Sequence, residues 1–270
     1  MIIKRLITWL IIIFFVCIVI IPFVWILISS FKTNIEFNLF PVGLPRSWTL
    51  ENYIGAFSEE PLLLYLRNSI IVAISTALFA TGIALLASYV FLFKFPLKNI
   101  FFSLCIFGIF LPLGAFMLPY YIIIDWLKLY DTLWGLITVY IGMFVPISFL
   151  IINVYMKEAV PIEVIEAAVL DGASFNQIFI KISVPMSRGG VISSIILLVI
   201  ISWNEVLYAM LLSATESSRT AQVAILFLNA TFSANYPMSF AAMMITIFPT
   251  ILIYIFLNRH IVTGLAMLNK

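Results

Sequence analysis

Glu166-Ala167-Ala168-Val169-Leu170-Asp171-Gly172-Ala173 is a stretch between two strongly apolar runs, and it carries the most distinctive pattern in this chain. Glu163, Glu166 and Ala167 fall at helical spacing, so a short helix here presents acid on one side and small residues on another. Gly172 follows where such a helix would end, because glycine adopts the left-handed conformation of a helix terminus without steric penalty. The stretch therefore predicts a short helix that stops at Gly172.

A second short helix is predicted directly after this joint. Phe175, Ile178, Phe179 and Ile182 share one side of it. Pro185 is expected to end it, because proline lacks the N–H that a helix interior requires. Two short helices joined at a glycine form a rigid knob that fits a groove in another protein.

The composition excludes an ordinary soluble domain. Of the 270 residues, 64% are hydrophobic and 10% are charged, and the mean hydropathy is +1.20. Soluble domains carry roughly 25% charged residues. The net charge of +2 is too small to favour nucleic-acid binding, and a single histidine, His260, leaves little scope for a metal site.

The apolar runs predict an all-α membrane protein with six transmembrane helices in one membrane domain, residues 1–270. A run of about 20 apolar residues is long enough to cross a bilayer. The first run is longer than the apolar core of a signal peptide and lacks a clear cleavage site, so we expect it to be retained. The predicted spans are residues 6–30, 68–93, 100–124, 133–156, 191–212 and 239–257, with a polar segment at 157–190.

The distribution of basic residues predicts the orientation of these spans. Nine lysines and arginines fall on the side that holds both termini and residues 157–190, and five fall on the other side. Positive residues favour the cytoplasmic side. We therefore expect cytoplasmic N- and C-termini and a cytoplasmic 157–190 segment.

Two predicted spans contain residues that are unusual at membrane depth. Pro112 and Pro119 interrupt the third span, where a kinked helix either lines a pathway or only improves packing. Asn204 and Glu205 lie in the fifth span, and a carboxylate at that depth is costly unless it is paired, hydrated or protonated. They are candidates either for structural hydrogen bonding or for direct contact with a solute or partner.

The motifs together resemble those of a known family. Glu166-Ala167-Ala168, three residues, Gly172, and then Ile182-Ser183-Val184-Pro185 resemble the cytoplasmic coupling motif of ABC importer permeases. Other motifs in the chain resemble those of the smaller permease of maltose-type carbohydrate systems. They are Arg67-Asn68-Ser69, Leu118-Pro119, Asp131-Thr132, Gly135 and Trp203-Asn204-Glu205. One departure is that Gly189-Gly190 stand near the place of a second proline in the family. We call residues 157–190 the coupling segment.

This resemblance implies a type I ABC importer permease fold with a cytoplasmic coupling helix. It implies two ATPase subunits that bind ATP and Mg, a second homologous permease subunit and an extracytoplasmic solute-binding protein, in a bacterial or archaeal inner membrane. It also implies import of a mono- or oligosaccharide and an outer loop, 213–238, that reaches into the binding protein. The implied ATPase-coupling residues are Glu163, Glu166, Ala167, Ala168, Asp171, Gly172, Ala173, Phe175, Phe179 and Pro185.

The chain itself is not expected to be an enzyme or to hold a cofactor. It has no Gly-x-x-x-x-Gly-Lys-Ser/Thr phosphate loop, so ATP hydrolysis is expected in the partner subunits. An intramembrane enzyme would need a nucleophile–base pair or metal ligands at membrane depth. An ion-coupled secondary carrier, the main alternative, would need several buried ionisable residues, and Glu205 alone is thin support for one.

Overall fold

The computed structural model describes the backbone of residues 2–231 and 235–267 and the side chains of residues 5–227, 235–252 and 255. Every regular element within these ranges is helical. The α-helices are α1 (Ile2–Ser29), α2 (Asn34–Leu39), α3 (Glu51–Glu59), α4 (Leu62–Val90), α5 (Lys98–Ile109), α6 (Met117–Trp126), α7 (Leu133–Ala159), α8 (Ile162–Leu170), α9 (Phe175–Ile178), α10 (Val184–Met186), α11 (Arg188–Asn204), α12 (Leu207–Leu212), α13 (Ala221–Thr231) and α14 (Tyr236–Met267). A 3-10 turn precedes α6 and a π-helical turn joins α9 to α10.

Three helices in the described ranges are long and apolar enough to cross a membrane, namely Arg5–Ser29, Leu62–Val90 and Leu133–Ala159. Two helix pairs pass the same test only when each bent pair is counted as one span: Lys98–Ile109 with Leu113–Trp126, at 98°, and Phe175–Met186 with Arg188–Asn204, at 72°. The described part of the last helix, Tyr236–Leu252, is apolar but shorter. By length and composition the described residues therefore hold three to five crossings, against the six that the sequence predicts.

The residues form two compact units. The first comprises Met1–Leu64 and Val223–Pro249. Trp25, Phe37 and Phe240 pack their rings together in it, with centroids 5.4–5.9 Å apart. Lys32 is buried there and donates from Nζ to the carbonyl oxygens of Phe40 and Pro41, at 2.9 and 3.2 Å. Phe40 caps α2 and Pro41 follows it, so this lysine fixes the chain where it leaves the helix.

The second unit comprises Tyr65–Gln222 and Thr250–Lys270, with α7 packed between α5 and α11. Small side chains recur along one stripe of α4, where they allow close helix packing, and all are buried: Ala73, Ala77, Ala80, Ala84 and Ser88. Ser194 links three helices, because its hydroxyl lies 2.6 Å from that of Ser148 on α7 and 3.1 Å from that of Thr81 on α4. This unit holds every candidate site residue.

The helix bounds differ from the predicted spans in two places. The fifth span, predicted at 191–212, starts at Arg188 and breaks after Asn204, with α12 as a separate short helix. The apolar pattern is continuous across this break, so hydropathy alone does not reveal it. The third span is also divided, at Phe110–Pro112.

Candidate functional site

The first half of the coupling segment is α8, which forms as the sequence predicts. Pro161 precedes the first turn, where a proline costs no hydrogen bond, and Glu163 lies in that turn, where a negative charge is favourable. Ile165 and Ala168 are buried on one face. Glu166 is exposed on the other face.

Gly172 ends α8 in the predicted left-handed conformation, with φ = +79°. Its N–H donates to the Val169 carbonyl at 3.0 Å, and the Ala173 N–H donates to the Ala168 carbonyl at 2.9 Å. These two bonds form a Schellman motif, which satisfies carbonyls that the helix would otherwise leave free. No atom lies within 4 Å of the place where a Cβ would be added to Gly172, so the requirement for glycine comes from the backbone conformation and not from lack of space.

The second half of the coupling segment begins with a capping box. Ser174 and Gln177 exchange hydrogen bonds between side chain and backbone at the start of α9. The helical run then continues through the π turn to Met186 and bends by 72° into α11 at Ser187. The sequence predicts that Pro185 ends this helix directly, but the helix continues one residue further, to Met186, before the chain bends at Ser187.

An aromatic cluster fixes the knob to the end of α4. The Tyr89 hydroxyl donates to the Phe175 carbonyl at 2.9 Å. The Tyr89 ring lies 4.6 Å from the ring of Phe175 and 5.0 Å from that of Phe179, and Phe93 lies 5.4 Å from Phe175. The knob is therefore held to the membrane helices by backbone and ring contacts together.

The predicted coupling residues divide into an exposed set and a packed set. Ala168 is buried, while Ala173 and Phe179 are half-buried against the same core. The exposed residues are Glu163, Glu166, Ala167, Asp171, Gly172, Phe175 and Pro185.

Large apolar side chains lie beside this exposed set. Leu170 is 88% exposed, Val169 is 57% exposed and Ile180 is 64% exposed. They stand outside the predicted spans, where large exposed apolar side chains indicate a protein contact.

Glu205 lies at the break between α11 and α12. It has extended backbone, and its carboxylate accepts hydrogen bonds from the N–H groups of Tyr208 and Ala209, at 3.1 Å each, and from the Tyr140 hydroxyl. The carboxylate thus caps the start of α12 and links it to α7. Asn204 is exposed, and its side chain donates back to the Ile200 carbonyl of its own helix at 2.8 Å.

The break lies beside the turn that follows Pro112. The buried Tyr208 hydroxyl donates to the Leu113 carbonyl at 2.5 Å, and its ring lies 5.5 Å from that of Tyr120. Pro112 divides the third span, as the sequence predicts. Pro119 does not, because it lies in the first turn of α6, where its missing N–H is not needed.

Asp131 belongs to one of the family motifs in the sequence, but its contacts were not predicted. Its carboxylate accepts from the N–H groups of Ala214 and Thr215, at 2.8 and 3.0 Å, from the Thr215 hydroxyl at 2.8 Å and from the Ser218 hydroxyl. Partial burial raises the pKa of Asp131, but the hydrogen bonds from Ser218, Thr215 and Ala214 lower it by more, so the net pKa lies below its ordinary value. The partners lie 83–87 residues away, so no local pattern could have revealed them.

Asn68 and Ser69 hold the far end of the same loop. The Asn68 amide donates to the carbonyls of Ser217 and Arg219, at 2.9 Å each, and the Ser69 hydroxyl accepts from the Ala221 N–H at 2.8 Å. Ala221 is the first residue of α13, so this helix starts from a loop fixed at two points.

Comparisons with known proteins show the family and the relatives that this chain is similar to. Residues 80–266 match the family described as binding-protein-dependent transport system inner membrane component. The chain is 30% identical to the trehalose transport system permease protein of Mycobacterium tuberculosis over 91% of this chain and 90% of that one. It is 29% identical to the glucose import system permease protein of Saccharolobus solfataricus, over 92% and 89% of the two chains.

A solved structure shares the fold. It is a chain of a bacterial ABC transporter involved in the import of the acidic polysaccharide alginate, with a TM-score of 0.83, 18% identity and coverage of 95% of this chain and 96% of that chain.

Proposed function

The chain belongs to the family of binding-protein-dependent transport system inner membrane components, and on that premise we propose that it carries a mono- or oligosaccharide into the cell as the permease of an ATP-driven ABC importer. The family resemblance predicted from the Glu166–Pro185 motif is thereby confirmed. The protein is a multi-pass, non-catalytic component of the inner membrane, and the ATPases are separate subunits. The relatives that import trehalose and glucose support a sugar as the solute.

The observation that carries the coupling role is the exposed apolar surface of the Schellman-capped knob. Val169 and Leu170 stand next to Glu166 and Gly172, outside the membrane-spanning helices. Such a surface fits a groove in a partner, with apolar side chains at its centre and carboxylates at its rim. We assign that groove to two partner ATPase subunits, which bind ATP and Mg.

The rigidity of the knob gives the coupling a mechanism. Closure of the ATPase subunits on ATP moves the knob as one body, because its two short helices are fixed by the Gly172 cap and the Ser174–Gln177 box. Tyr89 and the bend at Ser187 pass that displacement to α4 and α11. A helical bundle with two stable arrangements then alternates access to a central path.

Two further partners are a second permease subunit and a solute-binding protein. A second homologous permease subunit completes the path, and the solute-binding protein docks on the outer loop that Asp131, Asn68 and Ser69 hold in place. Asn204, Glu205 and Pro112 border the path near its outer end. We infer six spans of a single membrane domain, 1–270, across the inner membrane, with both termini in the cytoplasm.

ATP hydrolysis by the co-purified complex tests this function. A tag on this chain should recover an ATPase, and hydrolysis should rise when the solute-binding protein and the correct sugar are added. Recovery of the permease without any ATPase, together with sugar uptake that follows an ion gradient, would contradict the proposal and favour an ion-coupled secondary carrier.

A further inference from the structure

The short helix α3 has three chemically different sides. Asn52 and Ala56 are buried on the first side. The second side is an exposed apolar stripe of Leu50, Ile54 and Phe57, which are 61%, 65% and 45% exposed. The third side is exposed and polar, and it consists of Glu51, Ser58 and Glu59. At about 3.6 residues per turn, these sides lie roughly a third of a turn apart.

Hydrogen bonds fix the buried side of α3 to the end of α1. The Asn52 amide donates to the carbonyls of Ser30 and Lys32, at 2.8 and 2.7 Å. The Tyr53 hydroxyl lies 2.7 Å from that of Ser30, the residue that directly follows α1. The apolar part of α1, Arg5–Ser29, has 25 residues. It is therefore about 37 Å long, whereas the hydrocarbon core of a bilayer is about 30 Å thick. The end of α1, and α3 with it, thus lies where the bilayer meets water.

The other end of α3 is held at the same level by the next membrane helix. Only Glu60 and Pro61 separate α3 from α4, which starts at Leu62 and is itself long and apolar enough to cross the membrane. A connection of this length can bridge only about 11 Å. Both ends of α3 therefore stay close to the membrane surface.

Aromatic residues gather at this level beside the stripe. Phe31 lies two residues beyond α1, and its ring is 5.5 Å from that of Trp48 and 5.2 Å from that of Tyr53. Trp48 precedes the stripe by two residues and is 62% exposed. Tryptophan and tyrosine are enriched at membrane–water interfaces, because their rings are apolar at one end and polar at the other.

We propose that Trp48 and the apolar stripe of α3 insert into the lipid–water interface on the outer side of the membrane. An interfacial helix buries its apolar face about 5–10 Å into the boundary between headgroups and acyl chains, and keeps its polar face in water. The carboxylates of Glu51 and Glu59 then remain hydrated. The fixed position of α3 at the membrane surface favours lipid over the solute-binding protein as the occupant of this stripe.

The charge of α3 also specifies the kind of lipid contact. Glu51–Glu59 contains two glutamates and no lysine or arginine. Basic interfacial helices are attracted to anionic lipids, but α3 lacks that attraction, so its contact depends on apolar area alone. We therefore expect the contact to form with neutral headgroups and to resist salt, which screens only charge interactions.

Fluorescence quenching in the intact transport complex tests this contact. Other reactive cysteines, including Cys17 and Cys105, are first removed. A nitrobenzoxadiazole label is then attached to Ile54→Cys, Phe57→Cys or Ser58→Cys, and each complex is placed in phosphatidylcholine nanodiscs. Labels at positions 54 and 57 should show blue-shifted emission. They should also lose most of their fluorescence to a phospholipid that carries a nitroxide near the headgroup end of its acyl chain, and little to iodide in the water.

Ser58→Cys is the matched control, because Ser58 is exposed on the polar side of the same helix, one residue from Phe57. Its label should be quenched strongly by iodide and weakly by the nitroxide lipid. Equal quenching by iodide at all three positions would overturn the proposal. Protection of positions 54 and 57 that appears only after the solute-binding protein is added would assign the stripe to that protein, and would overturn the lipid contact as well.

A change of lipid charge separates apolar insertion from electrostatic attraction. The signals at positions 54 and 57 should stay the same when phosphatidylglycerol replaces phosphatidylcholine and when sodium chloride is raised. Nitroxide quenching that needs phosphatidylglycerol and is lost in salt would contradict an apolar contact. The readout needs neither sugar nor ATP hydrolysis, so its outcome is independent of the proposed transport function.

Discussion

At the scale of single residues, Gly172 matters for its backbone and not for its size. Its φ of +79° is costly for an L-residue, and the space around it is open. A β-branched residue there loses about 1–2 kcal/mol. Asparagine visits this conformation more readily, because its short side chain can form local hydrogen bonds.

Gly172→Val should therefore uncouple the transporter, while Gly172→Asn should stay close to the wild type. In the valine variant, the strained joint distorts the Schellman cap and shifts Val169 and Leu170. Sugar-stimulated ATP hydrolysis should therefore fall by roughly tenfold, which corresponds to the strain of about 1–2 kcal/mol. The measurement is hydrolysis by equal amounts of assembled complex. Wild-type hydrolysis in Gly172→Val would show that the conformation of this joint is not needed.

Asp131 fixes the outer loop through hydrogen bonds to its carboxylate. Asp131→Asn keeps one acceptor oxygen but loses the charge, and hydrogen bonds to charged groups are worth about 1.5–3 kcal/mol before solvent weakens them. We expect a loss of about 1–2 kcal/mol in the free energy of unfolding at neutral pH. Asp125→Asn, exposed at the end of α6, is the control and should change the melting temperature little.

The pH dependence of this loss follows from the lowered pKa of Asp131. Its stabilisation is complete above the unfolded pKa of about 3.9 and is lost as the pH falls through the lower folded pKa. The difference in melting temperature between wild type and Asp131→Asn should therefore be constant from pH 7 to about 5 and shrink below about 4. A difference that grows on acidification would contradict this assignment.

The Gly172 joint could be predicted from the sequence, whereas the Asp131 and Glu205 contacts could not. Gly172 obeys a local rule that needs only the preceding helix. Glu205 meets Tyr140 across 65 residues, and Asp131 meets Ser218 across 87. Such pairs depend on how separate helices pack, which no pattern within one span records.

At the scale of elements, α11 packs closely on α7 at one glycine. A Cβ on Gly190 would lie 2.6 Å from the Cβ and 2.8 Å from the Cγ of Tyr155, and these atoms cannot move away by a simple rotation. A Cβ on Gly189 would lie 3.4 Å from the same ring, which is ordinary contact. The two neighbouring glycines thus differ in their tolerance of a larger side chain.

Gly190→Ala should destabilise the complex, while Gly189→Ala should be neutral or slightly stabilising. Overpacking of this kind costs about 1–3 kcal/mol, whereas alanine in a helix gains up to about 1 kcal/mol over glycine. Thermal unfolding of the two variants in detergent measures the difference. Equal melting temperatures would show that α7 and α11 separate easily at this crossing.

Element boundaries were predictable where local chemistry sets them. α7 starts at Leu133 as predicted, and its preceding Thr132 caps it through a hydrogen bond from the Gly135 N–H at 3.1 Å. The break after Asn204 was missed because Glu205, a side-chain cap, replaces the missing helical bonds. An apolar window cannot distinguish a continuous helix from one capped within the membrane.

At the scale of the whole molecule, the proposed orientation places Glu166 in the cytoplasm and Lys128 outside. With Cys17 and Cys105 replaced by alanine, Lys128→Cys should react with a membrane-impermeant maleimide in intact cells. Glu166→Cys should react only after the cells are permeabilised, because the proposed orientation places it in the cytoplasm. Both side chains are exposed on the chain, so a difference in labelling reports the compartment. Labelling in the reverse order would invert the topology and place the coupling segment outside.

The bend at Ser187 makes the knob and α11 the two arms of an angled lever. The run Phe175–Met186 is one arm of about 18 Å and α11 is the other, of about 25 Å, from a rise of 1.5 Å per residue. In the proposed mechanism, a displacement of the exposed knob changes direction by 72° and becomes a lateral displacement of the Glu205 end of α11. That displacement is larger by about the ratio of the two arm lengths. The close approach of Gly190 to Tyr155 lies next to this bend, so in the proposed mechanism we expect a bulkier residue there to hinder the movement at its pivot and not at either end.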